Sequence, residues 1–338
     1  MKTAIVTGSA GFIGYHVSQR LLNEGYEVIG VDNFNNYYNV DLKHARSMKL
    51  FESGCYSELA FDIEDAGPLD QLFAEAQPEL VVHLAAAAGV RHSTLYPEDF
   101  TNSNLVGTFN VLEAMRNHAP NHAHLMIAST SSVYGANTQH PYSEMDKTDL
   151  PVSYYGATKK ATESMAHSYA HLYKMDITMF RFFTVYGPWG RPDMTPWVFA
   201  DKISKGEPID VYGEGEMWRD WTYIDDLVES IYRLSGVLPR YNVGHIDSLS
   251  PVAPFRVVNI GLEKPVKLLE FIEILGKHMD MPVEMNMMPM QLGDPVMTHS
   301  TVDLLEKLTE YKPTTTVDEG VKAFVDWYKT ENPLKDTS

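Results

Sequence analysis

The sequence predicts an α/β fold: a doubly wound parallel sheet with helices on both faces, joined by a smaller mixed α/β lobe. Three observations carry that reading. Apolar runs of strand length recur at residues 3–7, 27–31, 80–84, 124–128 and 176–180. Helical patterns lie between them, as at 103–116 and 155–173. The first run leads into Gly8, Gly11 and Gly14 at three-residue intervals. Strands alternating with helices require crossovers, and crossovers cover both faces of a parallel sheet.

Taken in order, Thr3–Thr7 reads as a short buried strand. After Gly14 a helical pattern runs through Val17, Leu21 and Leu22, and Gly25 ends it. Glu27–Val31 is a second strand, closing on Asp32. This succession of strand, glycine turn, helix, strand and acid is that of a dinucleotide-binding Rossmann unit. Gly8 permits the tight turn, and Gly11 lets the backbone approach a pyrophosphate, whose charge meets the helix N-terminus. Gly14 allows close packing of helix on strand. Asp32 lies 18 residues beyond Gly14, where a carboxylate accepts hydrogen bonds from adenosine ribose hydroxyls and repels a 2′-phosphate. NAD is therefore expected rather than NADP. Leu59–Phe61 reads as a third short strand, leaving Asp62 either to touch the adenine or to sit as a loop carboxylate.

Beyond about residue 184 the texture changes. Prolines and glycines cluster from Gly187 to Pro196, at 206–215 and around 236–254. The expected division is a cofactor domain over 1–184 and a substrate lobe mainly over 185–330. Late strands are expected to return to the sheet from about 222–262, Phe255–Ile260 among them. The chain shows no internal repeat, and its tail after about Glu331 reads as loosely ordered.

Composition narrows the partners. With 44% hydrophobic residues, 338 residues can bury a substantial core, and a net charge of −18 disfavours nucleic acid and anionic membranes. A single cysteine, Cys55, excludes an intramolecular disulfide and a CxxC metal site. No apolar run is long enough to span a membrane, and Met1-Lys2 leads straight into a strand, so no signal peptide is expected. The expectation is a cytoplasmic enzyme without a metal. The methionines from Met281 to Met290 read as adaptable packing or a partly exposed strand, not as copper ligands. His122 and His124 read as solvent or strand-edge residues, and His83 as a strand residue near the cofactor.

Tyr155 and Lys159 stand at i and i+4 on one helix face. A fixed ammonium beside a phenol favours the tyrosinate and lowers its pKa. Such a base can take a hydroxyl proton while a nicotinamide accepts the hydride.

These motifs occur in order with His83-Leu-Ala-Ala86, Asn104-x-x-Gly107-Thr108 and Ser129-Thr-Ser-Ser132-Val-Tyr-Gly135. Together they resemble the nucleotide-sugar epimerase/dehydratase branch of the extended short-chain dehydrogenase/reductases, from residue 3 to about 325. Asp32-Asn-Phe-Asn-Asn-Tyr-Tyr38, Leu42-Lys43, Arg46 and Arg181-Phe-Phe-Thr-Val-Tyr-Gly-Pro-Trp-Gly-Arg-Pro-Asp-Met194 are similar to the UDP-glucuronate 4-epimerases.

The resemblance implies Thr130, Tyr155 and Lys159 as the catalytic set. It implies a cofactor site of Gly8, Gly11, Phe12, Ile13, Gly14, Asp32, Asn33, Asn35, Asn36, Lys43, Asp62, Ile63, Leu84, Ala85, Ala86, Asn104, Ser129, Tyr155 and Lys159. For a UDP-sugar it implies Arg91, Thr130, Ser131, Ser132, Thr184, Arg191, Arg219 and Asp294. It also implies a homodimer, with Tyr169, His171 and Tyr173 toward the partner.

Ser131 and Ser132 stand where 4,6-dehydratases carry Asp-Glu, and Ser132 where UDP-glucuronate decarboxylases carry Glu. Hydroxyls there suit a substrate carboxylate and favour simple epimerisation; alternatively, they only complete a turn. Thr184 replaces the Asn usual in UDP-galactose 4-epimerases and leaves room for a carboxylate on C5. The chain departs from the pattern at Ala87, His92 and the order Asp294-Pro-Val. The expected activity is NAD-dependent 4-epimerisation between UDP-glucuronate and UDP-galacturonate. A neutral-sugar 4-epimerase, a UDP-glucuronate decarboxylase and a silent NAD-binding regulator remain the alternatives.

Overall fold

The computed structural model describes residues 1–240, 247–290 and 294–335. It opens with β1 (Thr3–Thr7), α1 (Phe12–Asn23), β2 (Glu27–Asp32), α2 (Val40–Phe51), β3 (Tyr56–Ala60), α3 (Ala66–Ala76) and β4 (Leu80–His83). Short helices α4 (Val90–Leu95) and α5 (Pro97–Phe100) follow, with a π-helical stretch Thr101–Gly107 leading into α6 (Thr108–His118). Next come β5 (His124–Thr130), α7 (Tyr154–Tyr173), β6 (Asp176–Phe182), β7 (Thr184–Tyr186), α8 (Thr195–Ser204) and β8 (Ile209–Tyr212). The remaining elements are β9 (Trp218–Arg219), β10 (Trp221–Tyr223), α9 (Ile224–Ser235), β11 (Phe255–Ile260), β12 (Val266–Lys267) and α10 (Leu268–Met279). They end with β13 (Met285–Met288), α11 (Asp303–Thr309) and α12 (Val317–Thr330).

Seven strands pair in parallel in the order β11-β6-β5-β4-β1-β2-β3. The chain grows outward from β1 to β3, then returns to β1's other side as β4. Strand direction of growth thus reverses between β1 and β4, where a crevice opens at the carboxyl ends of the strands. Alternation along β1 builds two cores. Ala4 and Val6 face one cluster with Val17, Leu21 and Leu227, while Ile5 faces another with Leu72, Val111 and Ala166. The predicted doubly wound sheet is therefore present, with both faces covered.

The smaller lobe uses three two-stranded pairs: β7 with β10, β9 with β12, and β8 with β13. Trp221 and Phe271 stack at 4.0 Å in its core.

Four local expectations are corrected. The third strand is Tyr56–Ala60 rather than 59–61, because Tyr56 anchors it and Asp62 lies past its end. Of the late segments expected in the main sheet, Phe255–Ile260 joins it, but Trp221–Tyr223 pairs only with β7. His124 is neither solvent-facing nor at a sheet edge. It starts an interior strand, is buried, and shares Nε2 with the Thr178 hydroxyl at 2.8 Å. The helix expected over 103–116 begins as a π-helical stretch. Residues 241–246 of the Pro/Gly-rich stretch and 336–338 of the tail lie outside the described residues.

Candidate active site

The crevice beside β1 is lined first by the glycine turn. Gly8 has φ +72°, open to glycine and strained for other residues, and a Cβ there would lie 2.9 Å from the Ala85 nitrogen. Gly14 is tighter: its Cβ would stand 2.0 Å from the Gly8 carbonyl oxygen. The chain therefore keeps this corner bare, and α1 starts there behind Gly11 with Phe12, Ile13 and Gly14 as its first residues. Unpaired N–H groups at such a helix start suit a diphosphate. Thr7 holds the opposite wall: its hydroxyl accepts from the backbone N–H groups of Leu84 and Ala85, both at 3.2 Å, and contacts His83 Nδ1 at 2.7 Å. Burial pulls His83 down to about 3, so this imidazole is neutral.

At the end of β2, Asp32 Oδ1 accepts from Phe34 N at 2.9 Å and from Lys43 Nζ at 3.1 Å. Lys43 also reaches Asn35 Oδ1 at 3.2 Å, and Asn33 donates to Asp62 Oδ2 at 2.8 Å. Asn36 is exposed on the same loop. Asp32, Asn33, Asn35, Lys43 and Asp62 thus form one connected rim. Ile63 is buried against Gly107. Asn104 is fully buried, and its amide is committed to Ala87 and the Thr158 hydroxyl, bracing the Ala85–Ala87 loop against α7. Ser129 likewise turns its hydroxyl to Glu163, at 2.7 Å. The bare corner, the helix start and this carboxylate-bearing rim fit NAD.

The predicted catalytic residues converge where β5 ends beside the start of α7. Ser153 caps that helix by accepting from Gly156 N at 3.0 Å, which sets Tyr155 in the first turn. Gly156 lets the turn approach the Ser132 carbonyl, since a Cβ would lie 2.7 Å from it. Thr130 ends β5, and its hydroxyl contacts Ser132 Oγ at 3.3 Å and hydrogen-bonds the Tyr155 phenol.

Here one expectation is corrected. The phenol is not held low by Lys159. Burial raises the Tyr155 pKa, and the bond to Thr130 and the charge of Arg191 offset this only in part. Lys159 is buried and donates to the Ala128 carbonyl at 3.0 Å, and burial lowers its pKa to about 8.

The predicted sugar-nucleotide residues fall into two groups. Thr130, Ser131 and Ser132 form the first, beside the catalytic candidate Tyr155, and Arg191 belongs with them by its effect on the phenol. Its guanidinium is bidentate to Asp193, at 2.9 and 2.6 Å, and lies 5.6 Å over the Tyr37 ring, whose hydroxyl also donates to Asp193. Thr184 is half-buried in β7, its N–H bonded to the Asp220 carbonyl at 3.0 Å. The second group is Arg91, Arg219 and Asp294. Arg91 pairs with Asp294 at 3.1 Å and covers the Tyr212 ring at 4.7 Å. Arg219 lies within the field of both, with its own charge disfavoured by burial. The two groups offer cations at two separated points in an acidic protein.

Tyr37 and Asp193, which hold Arg191 in place, stood inside the motifs without a role, and sequence reasoning missed Glu163, which holds Ser129. Their partners are far apart in sequence, as with Tyr37 and Asp193, and no spacing signals them. Arg46 stood inside a quoted motif without a role. No group of side chains suited to a metal ion occurs among the described residues.

Comparison with known proteins gives the family. A family model described as the NAD dependent epimerase/dehydratase family matches residues 4–244. The chain is 52% identical over 329 residues to a probable UDP-glucuronate 4-epimerase of Rhizobium meliloti, covering 96% of each chain. It is 42% identical to UDP-glucuronate 4-epimerase 4 of Arabidopsis thaliana, covering 96% of this chain and 75% of that one. Among solved structures it is similar to the UDP-glucuronic acid 4-epimerase of Bacillus cereus in complex with UDP-glucuronic acid and NAD. The TM-score is 0.86 at 29% identity, with 97% and 99% of the two chains covered.

Proposed function

The chain belongs to the NAD-dependent epimerase/dehydratase family, and on that premise we propose that it interconverts UDP-glucuronate and UDP-galacturonate by NAD-dependent 4-epimerisation. The observation that carries this reading is the 52% identity over 96% of both chains to a probable UDP-glucuronate 4-epimerase. The Thr130, Tyr155 and Lys159 set at the end of β5 and the start of α7 supports it.

When bound, NAD supplies the acceptor for the C4 hydride and returns it to the other face of the sugar. Gly8, Gly11, Phe12, Ile13 and Gly14 would hold its diphosphate, and Asp32 with its rim the adenosine ribose. Lys43 and Phe34 N occupy Oδ1 of Asp32, leaving Oδ2 for the ribose hydroxyls. Tyr155 removes the proton from the 4-hydroxyl, with Thr130 bridging to the same oxygen. A positive charge brought beside the buried phenol lowers its pKa toward the working range. Lys159, anchored on the Ala128 carbonyl, would hold the nicotinamide ribose. The 4-keto sugar turns about its bond to the diphosphate before it is reduced. Arg219 holds the diphosphate, Arg191 is a second cation for the nucleotide end, and Asp294, paired with Arg91, lies at the uridine ribose.

A 4-keto uronate is a β-keto acid and loses CO2 most readily with its carboxylate perpendicular to the ketone. The hydroxyls of Thr130, Ser131, Ser132 and Thr184 donate to that carboxylate and hold it away from this geometry.

The division into a cofactor domain, 1–184, and a substrate lobe, mainly 185–330, follows the same reading. We place the enzyme in the cytoplasm, where an exposed lone cysteine, Cys55, stays reduced. It acts as a homodimer through α6 and α7. Phe109, Glu113 and Arg116 share one face of α6, and Met165, Tyr169 and Leu172 one face of α7, with Tyr169 bonded to Glu113 at 2.6 Å. Phe109 and Leu172 are exposed on that surface.

Incubation with UDP-glucuronate, followed by proton NMR of the sugar, tests the activity. UDP-galacturonate without pentose is expected. UDP-xylose or a 4-keto pentose would mean decarboxylation, and an unchanged spectrum would redirect the search to neutral sugars.

A further inference from the structure

Arg46 is fully buried in α2, and no carboxylate pairs with it among the described ion pairs. Its charge is met instead by oxygen dipoles from two distant parts of the chain. Nη1 donates to the Ala10 carbonyl at 2.9 Å and to the Tyr38 hydroxyl at 2.8 Å. Nη2 donates to the carbonyls of Trp189 at 2.6 Å and Gly190 at 3.0 Å. Ala10 lies inside the glycine turn, between Gly8 and Gly11, while Trp189 and Gly190 immediately precede Arg191.

The captured loop is held against its own preference. Trp189 has φ +59°, a left-handed conformation that a bulky side chain adopts only when its surroundings impose it. Those surroundings come from the cofactor side as well as from the substrate lobe. His16 Nε2 donates to the Pro188 carbonyl at 3.0 Å, and Tyr15 packs on the Trp189 ring at 5.6 Å. From the other lobe Trp327 meets the same ring at 5.4 Å. Of these contacts, only Arg46 bonds the glycine turn and the loop with one planar group. A guanidinium presents its donors in a fixed fork, which an ammonium cannot copy.

We propose that Arg46 is a positioning residue that fastens the 188–191 loop to the cofactor's glycine turn, so that bound NAD is retained through the reaction cycle. The inference rests on the reading of that turn as the diphosphate cradle of NAD. An epimerase that takes a hydride and returns it to the same sugar needs its cofactor to stay bound between the two transfers. Release requires the turn and the loop to part, and Arg46 resists that parting from a site that touches neither cofactor nor substrate.

The test is the rate at which NAD bound to the purified holoenzyme exchanges with isotope-labelled NAD, with the unfolding midpoint measured in parallel. Arg46→Lys is expected to speed exchange by about tenfold or more, since one ammonium cannot serve both sides. Tyr38→Phe removes one of the four partners and should move exchange in the same direction by a smaller factor. Exchange at the wild-type rate in Arg46→Lys, even with a lowered midpoint, would mean that Arg46 only supports the fold, and would overturn the proposal. Should Arg46→Lys not fold, wild-type exchange in Tyr38→Phe overturns it equally. A wild-type protein that holds no NAD would remove the underlying reading, and the proposal with it.

Discussion

Lys159 Nζ donates to the main-chain carbonyl of Ala128 at 3.0 Å, tying α7 to the strand that ends in Thr130. The ammonium is buried with no carboxylate partner among the described residues, and its pKa falls to about 8 from 10.5. Between those values the unfolded chain binds the proton and the folded chain releases it. Unfolding therefore takes up a proton, and this group's contribution to stability rises with pH across that window. In NAD-free protein, urea unfolding should show stability increasing from pH 8 to 10, and Lys159→Met should flatten the increase. Equal slopes in the two proteins would contradict the buried ammonium.

The Tyr155 phenol behaves differently. Burial raises Tyr155 above its usual 10, and Arg191 is one of two groups that pull it back. With Tyr155 as the proposed base, which must be deprotonated, kcat/KM should rise with pH from neutrality toward the alkaline side. Removing a nearby cation makes the tyrosinate harder to form, so Arg191→Gln should shift that rise to higher pH. Tyr155→Phe should lose roughly 10³-fold in turnover while retaining NAD. A pH–rate profile unchanged in Arg191→Gln would dismiss the electrostatic link.

Gly14 offers a test of the cofactor turn that needs no substrate. A methyl there meets the Gly8 carbonyl oxygen at 2.0 Å and its carbon at 2.7 Å, both backbone atoms of the tightest turn in the site. No side chain can move aside. Gly14→Ala should destabilise by roughly 3 kcal/mol or more and abolish NAD retention, read by thermal unfolding and by NAD content. Near-normal stability would show that the turn can open.

What the sequence disclosed and what it hid divide along one line. Thr3–Thr7, Glu27–Asp32 and Phe255–Ile260 were legible because each is a short apolar run whose neighbours signal turns. The glycine turn and the Tyr155–Lys159 pair were legible because their partners lie within a few residues. The extra length of β3 was not, since Ser57 and Glu58 in this edge strand break the apolar pattern. Nor was the pairing of β10 with β7, because an apolar triplet carries no record of its partner. Arg46 is the extreme case. Its partners lie 36 and 143 residues away, and a lone arginine on a helix reads as a surface charge until the fold encloses it.

The α6–α7 face makes a separate prediction. Leu172 and Phe109 are 65% and 45% exposed on helices tied by the Tyr169–Glu113 bond. Apolar groups this open on paired helices suit a second copy of the chain. Wild-type protein should sediment as a dimer, and Leu172→Glu should shift it toward monomer without lowering the unfolding midpoint of the isolated subunit. A monomeric wild type would end that reading.

The hydroxyl cradle is open to the most direct chemical test. Ser132 stands beside Thr130, with its N–H on the Thr130 hydroxyl at 3.2 Å and the two side-chain oxygens 3.3 Å apart. This pairing sets both hydroxyls toward the same space at the end of β5. If Ser132 donates to the substrate carboxylate, its loss frees that group to rotate perpendicular to the 4-ketone, the geometry in which CO2 departs. A hydrogen bond to a charged group contributes roughly 1.5–3 kcal/mol, so Ser132→Ala should raise the pentose share of the product on the order of tenfold. The fold should be unaffected, since the Ser132 backbone bond to Thr130 does not use its side chain. Proton NMR of the product mixture reads both sugars at once. Unchanged pentose in Ser132→Ala would count against the hydroxyl cradle.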